Sequence, residues 1–210
     1  IVGYTDGTFG PSRSMTRAEA AAIFARLLAE KNGDTISTAA NTKFADIPAH
    51  AWYSGYVKYL SNNGITYGKS KTIFAPNDAI TRAEFTTMAV RFFDVYGDGD
   101  AEIMEQFSGF NDVSSGYWAA EYIKYAALHG WINGYGDGSF HAEREINRAE
   151  VVTIVNRLLG READEDYIAD NLRKLNTFPD VSRKHWAYYA VMEAANAHIA
   201  VLGESESWSK

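Results

Sequence analysis

The stretch "MTRAEAAAIF" (residues 15–24) returns as "ITRAEFTTMA" at 80–89 and as "INRAEVVTIV" at 146–155. In each copy Thr16, Thr81 or Asn147 precedes Glu19, Glu84 or Glu150 by three residues, the pattern of a capping box at a helix start. The cap side chain satisfies an orphan N–H of the first turn, and the glutamate reaches back to the N–H of the cap. An apolar residue just ahead, Met15, Ile80 or Ile146, can staple the entry. Capping leaves the arginine unexplained. Arg17, Arg82 and Arg148 each put a cation in a first turn, where the helix dipole disfavours it by a few tenths of a kcal/mol. Either an anionic ligand lies nearby, or each arginine pairs with a carboxylate of a neighbouring element. The sequence leaves both open.

The copies are 65 and 66 residues apart, and a second phrase, Phe-x-Asp-x(5)-Trp, keeps the same period. It reads "FADIPAHAW" from Phe44, "FNDVSSGYW" from Phe110 and "FPDVSRKHW" from Phe178, ending on Trp52, Trp118 and Trp186. A first helix follows each tryptophan. A glycine-rich turn then leads to the capped second helix: "GYTDGTFGPSRSM" from Gly3, "GKSKTIFAPNDAI" from Gly68 and "GYGDGSFHAEREI" from Gly134. Glycine there permits positive φ, and Phe9, Phe74 and Phe140 are expected to anchor the turns to a core. In the second helices Ala20, Ile23, Phe24 and Leu27 fall at helical spacing, as do Phe85, Met88, Ala89 and Phe92, and Val151, Ile154, Val155 and Leu158. The fold class is all-α. Segments 33–43, 97–109 and 161–177 join the units, and "AEIMEQF" and "DYIADNLRKL" read as short linking helices.

Phe-x-Asp, Trp, Gly-Tyr-x-Asp-Gly-x-Phe and Thr-Arg-Ala-Glu, in this order and spacing, resemble the S-layer homology (SLH) domain over nearly the whole chain. In that frame residues 1–32 are the second half of a repeat, 44–96 and 110–160 are full repeats, and 178–203 are the first half of another. Residues 1–210 are together one module. The resemblance implies a pseudo-threefold, three-lobed bundle of helix-loop-helix repeats in which neighbouring repeats share lobes. A unit of this size cannot bury its apolar stripe alone, so the capped helix of one repeat should pack on the Trp helix of the next.

The resemblance also implies a function: non-covalent anchoring of a surface protein to the bacterial cell wall, by binding a secondary cell-wall polysaccharide that bears a pyruvylated amino sugar. The module would sit at the cell surface, covalently part of a larger surface protein. A ketal carboxylate placed against a capped helix N-terminus would meet backbone N–H groups and the guanidinium of Arg17, Arg82 or Arg148. Trp52, Trp118 and Trp186 could stack on a sugar face, although a Trp opening an amphipathic helix is more often a core anchor. Asp46, Asp112 and Asp180 could bond sugar hydroxyls, although an Asp ahead of a helix is more often its local cap. Gly3, Gly68 and Gly134 complete the candidate ligand-binding set. The sites are unequal, because Lys69-Ser70-Lys71 makes the second turn more cationic. The tail "VLGESESWSK" lacks a glycine-rich turn and reads as a natural or degenerate end.

Composition narrows the rivals. The 210 residues are 46% hydrophobic and 14% aromatic, enough to fill a core, and the net charge of −7 with scattered Lys and Arg argues against nucleic acid. With no cysteine there is neither a disulfide framework nor a thiolate site, and no apolar run reaches the length of a membrane span. No HExxH or GxSxG pattern occurs, and Gly134-x-Gly136-x-Gly138 follows a helix where a dinucleotide fold needs a strand, so no catalytic residue, cofactor or metal site is expected. "DVYGDGDAEIME" from Asp94 resembles a calcium loop, but Tyr96 stands at its third ligand position, and an acidic linker is the simpler reading. The remaining non-enzymatic rival is a protein–protein docking module of a surface assembly.

Overall fold

The computed structural model describes residues 1, 3–96, 107–201 and 207–209. The calcium-loop-like stretch and "AEIMEQF" fall largely outside them. Among the described residues the helices are α1 (Arg17–Asn32), α2 (Ser54–Asn62), α3 (Arg82–Tyr96), α4 (Ala120–Leu128), α5 (Arg148–Leu158), α6 (Glu165–Asn171) and α7 (Tyr188–Ala195). A 3-10 turn, Leu172–Lys174, continues the linking helix α6. The all-α reading holds, with one small addition: β1 (Ile199–Val201) pairs antiparallel with β2 (Ser207–Ser209). Two compact units are formed, one by Ser14–Ile146 and the other by Ile1–Arg13 with Asn147–Lys210.

All three capping boxes form. Thr16 accepts from Glu19 N at 3.2 Å while Glu19 accepts from Thr16 N at 2.8 Å, and the same reciprocal bonds join Thr81 to Glu84 and Asn147 to Glu150. The apolar residues ahead of the caps do more than staple. In the Ser14–Ile146 unit, Met15 N donates to Ile146 O (3.0 Å), Ile146 N to Ile80 O (3.0 Å) and Ile80 N to Met15 O (2.9 Å), closing a ring of three backbone bonds. All three side chains are buried. Three copies of one phrase thus meet at one point, each meeting the peptide-bonding needs of another.

In the same unit α1 packs on α2, α3 packs on α4, and α1 contacts α3, where Phe24 lies 5.2 Å from Phe85 and 5.1 Å from Phe92 between ring centroids. In the other unit α5 packs on α7. Each capped helix therefore lies on the Trp helix that follows it in sequence, as the repeat pattern predicts. The expected core faces of α3 and α5 are buried throughout, whereas Ile23 and Leu27 of α1 are only half-buried, and Ala21, Ala25 and Leu28 fill the core instead. In the second unit Phe9, Val152, Ile168, Val191 and Trp208 share one core. The C-terminal stretch is thus seated: Trp208 N donates to Asp164 at 3.0 Å, and the His198 ring stacks on the Trp208 ring at 4.0 Å.

Candidate functional site

Each glycine-rich turn ends on a fully buried phenylalanine, as expected, and the peptide unit of that phenylalanine is gripped from two sides. Arg17 Nε donates to Phe74 O at 2.7 Å, while the Asp46 carboxylate accepts from Phe74 N (2.9 Å) and Ala75 N (2.6 Å). Arg82 Nε donates to Phe140 O at 2.8 Å, while Asp112 accepts from Phe140 N and His141 N, both at 2.7 Å. Arg148 Nε donates to Phe9 O at 2.9 Å, while Asp180 accepts from Phe9 N (2.9 Å) and Gly10 N (2.7 Å). The structure thus joins an Arg, a Phe and an Asp in three equivalent stations, the first two within the Ser14–Ile146 unit and the third within the other unit.

These bonds revise three expectations. First, the aspartates do not cap the helices that follow them: Tyr53, the N-cap of α2, has no side-chain cap bond, and each Asp instead clamps a turn distant in sequence. Burial pushes the Asp46 carboxyl up, but the Phe74 and Ala75 N–H groups outweigh it and hold the pKa below its ordinary 3.8; Asp112 is lowered by the same balance. Second, the capped helix ends are not open to an anion. The N–H groups of Arg17 and Ala18 donate to the carbonyls of Asp78 and Pro76, those of Arg82 and Ala83 to Arg144 and Ala142, and those of Arg148 and Ala149 to Arg13 and Pro11. With the third N–H taken by the cap side chain, the first three donors of each helix are occupied. Third, the tryptophans are not core anchors. Trp52, Trp118 and Trp186 are 56%, 54% and 65% exposed, because each stands in the turn before its helix and the next residue, Tyr53, Ala119 or Ala187, takes the buried position.

The arginines are buried. Arg17 Nη1 pairs with Glu84 Oε1 at 2.8 Å, so for this residue the neighbouring carboxylate exists. Arg82 Nη2 also donates to Asn133 O at 3.1 Å. Each guanidinium lies over its phenylalanine ring, at 5.0 Å for Arg17 on Phe74, 4.5 Å for Arg82 on Phe140 and 4.7 Å for Arg148 on Phe9.

The glycines serve the phenylalanine of Phe-x-Asp. A Cβ on Gly3, Gly68 or Gly134 would come within 2.4, 2.4 or 2.5 Å of Cε1 of Phe178, Phe44 or Phe110. Only Gly68 of the three has positive φ, so at Gly3 and Gly134 the requirement is space rather than backbone freedom. The stations differ at their rims. Tyr4 packs under Arg13 (4.3 Å) and Tyr135 under Arg144 (5.5 Å), whereas the equivalent Lys69 pairs with Asp78 at 2.9 Å.

Beside the second station lies a cavity of about 440 Å³ lined by Asp112, Tyr117, His141, Ala142, Glu143 and Arg144. Apart from Asp112, sequence reasoning passed these residues over, although His141 carried a signal: it occupies the position after the anchor phenylalanine that is Gly10 and Ala75 in the other turns. Tyr117 Oη bonds Glu143 at 2.5 Å; burial first, then that carboxylate, pushes the phenol far up, so it stays protonated. Among the described residues no group of three His, Asp or Glu side chains is placed to hold a metal ion, and no helix is long and apolar enough to cross a membrane.

The sequence profile of the S-layer homology domain matches residues 1–21, 43–86 and 109–152. Among curated proteins, "Cell surface glycoprotein 1" of Acetivibrio thermocellus is 34% identical over 97% of this chain and 9% of its own length. "Cellulosome-anchoring protein" of the same organism is 31% identical over 98% of this chain and 44% of its own length. "Surface-layer 125 kDa protein" of Lysinibacillus sphaericus is 32% identical over 76% of this chain and 13% of its own length. The chain spans less than half the length of each of these relatives. With the profile covering over half of the chain in three copies, and its motifs forming the three stations, the chain belongs to the S-layer homology domain family, a family of the cell surface.

Proposed function

We propose that the chain holds a larger surface protein to the wall non-covalently by binding a secondary cell-wall polysaccharide through an acidic, pyruvylated amino sugar. The observation that carries this reading is the exposure, three times over, of Trp52, Trp118 and Trp186. A single exposed aromatic is unremarkable on a protein surface, but the same ring held out of the core in three successive repeats is a stacking surface for a repetitive ligand. The rigid turns clamped by Asp46, Asp112 and Asp180 supply the frame for polar contacts, seated on Gly3, Gly68 and Gly134. Arg17, Arg82 and Arg148, each beside its clamped turn, are the cations through which a ligand carboxylate would be read. The reading involves no covalent chemistry, and the chain is proposed as a binding module rather than an enzyme.

Co-sedimentation with purified wall fragments tests it. Replacing all three tryptophans by alanine should abolish retention while leaving the melting temperature within a few degrees, since exposed side chains contribute little stability. Undiminished retention of the triple variant would contradict the reading.

A further inference from the structure

We propose that Asn133 is a site of spontaneous covalent modification: Arg82 promotes its conversion to aspartate and isoaspartate by the Gly134 amide, and the carboxylate so formed pairs with Arg82. The chemistry stands apart from the anchoring reading.

The sequence contains three Asn-Gly dipeptides, Asn32-Gly33, Asn63-Gly64 and Asn133-Gly134. Glycine has no Cβ, so the following amide nitrogen reaches the asparagine side-chain carbonyl unhindered. Sequence makes the three alike, and the fold separates them. Asn32 and Asn63 stand at the C-terminal ends of α1 and α2, each followed by a left-handed glycine, with φ of 71° at Gly33 and 74° at Gly64. Both attacking nitrogens are engaged there. Gly33 N donates to Ala29 O and Glu30 O, and Gly64 N donates to Ser61 O. The side-chain amides are held as well, Asn63 Nδ2 by Tyr59 O at 2.9 Å and Asn32 Nδ2 by the Tyr59 hydroxyl at 3.3 Å. Attack has to break such bonds first, which slows it by about five- to tenfold.

Asn133 is placed differently. It lies outside the helices, exposed, where the chain enters the glycine-rich turn. Its carbonyl accepts from Arg82 Nη2 at 3.1 Å. That guanidinium is buried and fixed, with Nε donating to Phe140 O at 2.8 Å and its plane over the Phe140 and Tyr135 rings. A cation on the Asn133 oxygen draws electron density from the peptide that joins Asn133 to Gly134, and stabilises the anion left when the Gly134 nitrogen gives its proton to water. The nucleophile is thereby favoured.

The deprotonated Gly134 nitrogen bonds to Asn133 Cγ, the bond from Cγ to Nδ2 breaks, and ammonia leaves with the proton that water returns. Water then opens the cyclic imide. Breaking the bond from Cγ to nitrogen gives an aspartyl side chain; breaking the backbone C–N bond gives isoaspartate, in which the chain runs on through Cβ and Cγ. In isoaspartate the oxygen that accepted from Arg82 belongs to the new carboxylate, so an ion pair replaces a bond to a neutral carbonyl. In the other two turns Gly3 and Gly68 follow Val2 and Tyr67, so the change is confined to the second station. On the anchoring reading it cancels the cation of that station as the protein ages.

The test incubates the full chain in mildly alkaline buffer, with and without urea, and follows each Asn-Gly by peptide mass mapping and isoaspartyl methyl labelling. In the native chain Asn133 should convert about tenfold faster than Asn32 and Asn63, and in urea the three rates should converge. Arg82→Lys keeps a charge but loses the planar fork, and should slow Asn133 severalfold while leaving the other two unchanged. Equal native rates at the three sites, or a slower one at Asn133, overturn the inference, as does an unaltered Asn133 rate in folded Arg82→Lys. If that variant does not melt cooperatively, the native-to-urea rate ratio of the unmodified sequence decides: a ratio at Asn133 near or above unity supports the role of Arg82, and one as low as at Asn32 and Asn63 overturns it. The readout is mass rather than binding, so this inference can fail while wall anchoring stands, and the reverse.

Discussion

Arg17 Nη1 lies 2.8 Å from Glu84 Oε1, so the cation of one copy of the repeated phrase is paired with the acid of the next. Glu84 Oε2 at the same time accepts from Thr81 N, which makes one carboxylate both a helix cap and an ion-pair partner. This accounts for a first-turn arginine that the helix dipole disfavours: its charge is met by Glu84 and its Nε by the Phe74 carbonyl.

Arg17→Ala should therefore destabilise the fold, by about 2–3 kcal/mol, because it strips charge-assisted bonds from a buried site. Thr16→Ala should cost about 1 kcal/mol, the usual value of a lost cap. Urea unfolding measures both, and a double-mutant cycle of Arg17→Ala with Glu84→Ala should show coupling rather than additivity. Unchanged stability of Arg17→Ala would mean that the pairing contributes nothing to the fold.

The aspartate clamps make stability acid-sensitive. Asp46 and Asp112 have native pKa values below the ordinary 3.8, so their stabilisation is fully present above the unfolded value and is lost as pH falls through the lowered native one. Thermal melts taken from pH 6 downward should stay level to about pH 4 and then drop. In Asp46→Asn the drop should be shallower and the starting stability lower, because a neutral amide replaces a charged acceptor.

Much of this was legible in the sequence and some was not, for physical reasons. Capping boxes act over three residues, so a single repeat reveals them. The partner of Asp46 lies 28 residues on and that of Arg17 57 residues on, distances that local propensity does not sense, although the constant spacing of the phrases was a visible trace of them. The exposure of the tryptophans is a matter of phase, which contradicts only their reading as core anchors: Trp118 stands just before its helix, and Ala119 beside it takes the core. The arginine partners could not be chosen from the sequence because glutamate recurs in every copy, and only the fold brings Glu84 to Arg17.

Glycine substitutions in one turn separate the roles of neighbouring positions. Gly134→Ala would push a Cβ to 2.5 Å from Phe110 Cε1 and 2.6 Å from Ser139 O, and should cost about 1–3 kcal/mol by overpacking. Gly136→Ala meets nothing within 4 Å and should leave stability within about 0.5 kcal/mol. Equal effects of the two, measured by thermal melting, would show that the Phe-on-Gly contact is not what fixes the turn.

The central claim is that the chain recognises the acidic character of the wall polysaccharide, and calorimetric titration with that polysaccharide before and after removal of its pyruvate tests it most directly. The account predicts measurable binding of the pyruvylated form, weakened by added salt, and at least a tenfold loss of affinity, on the order of 1.4 kcal/mol, once the carboxylate is gone. Equal affinity for the two forms would contradict it.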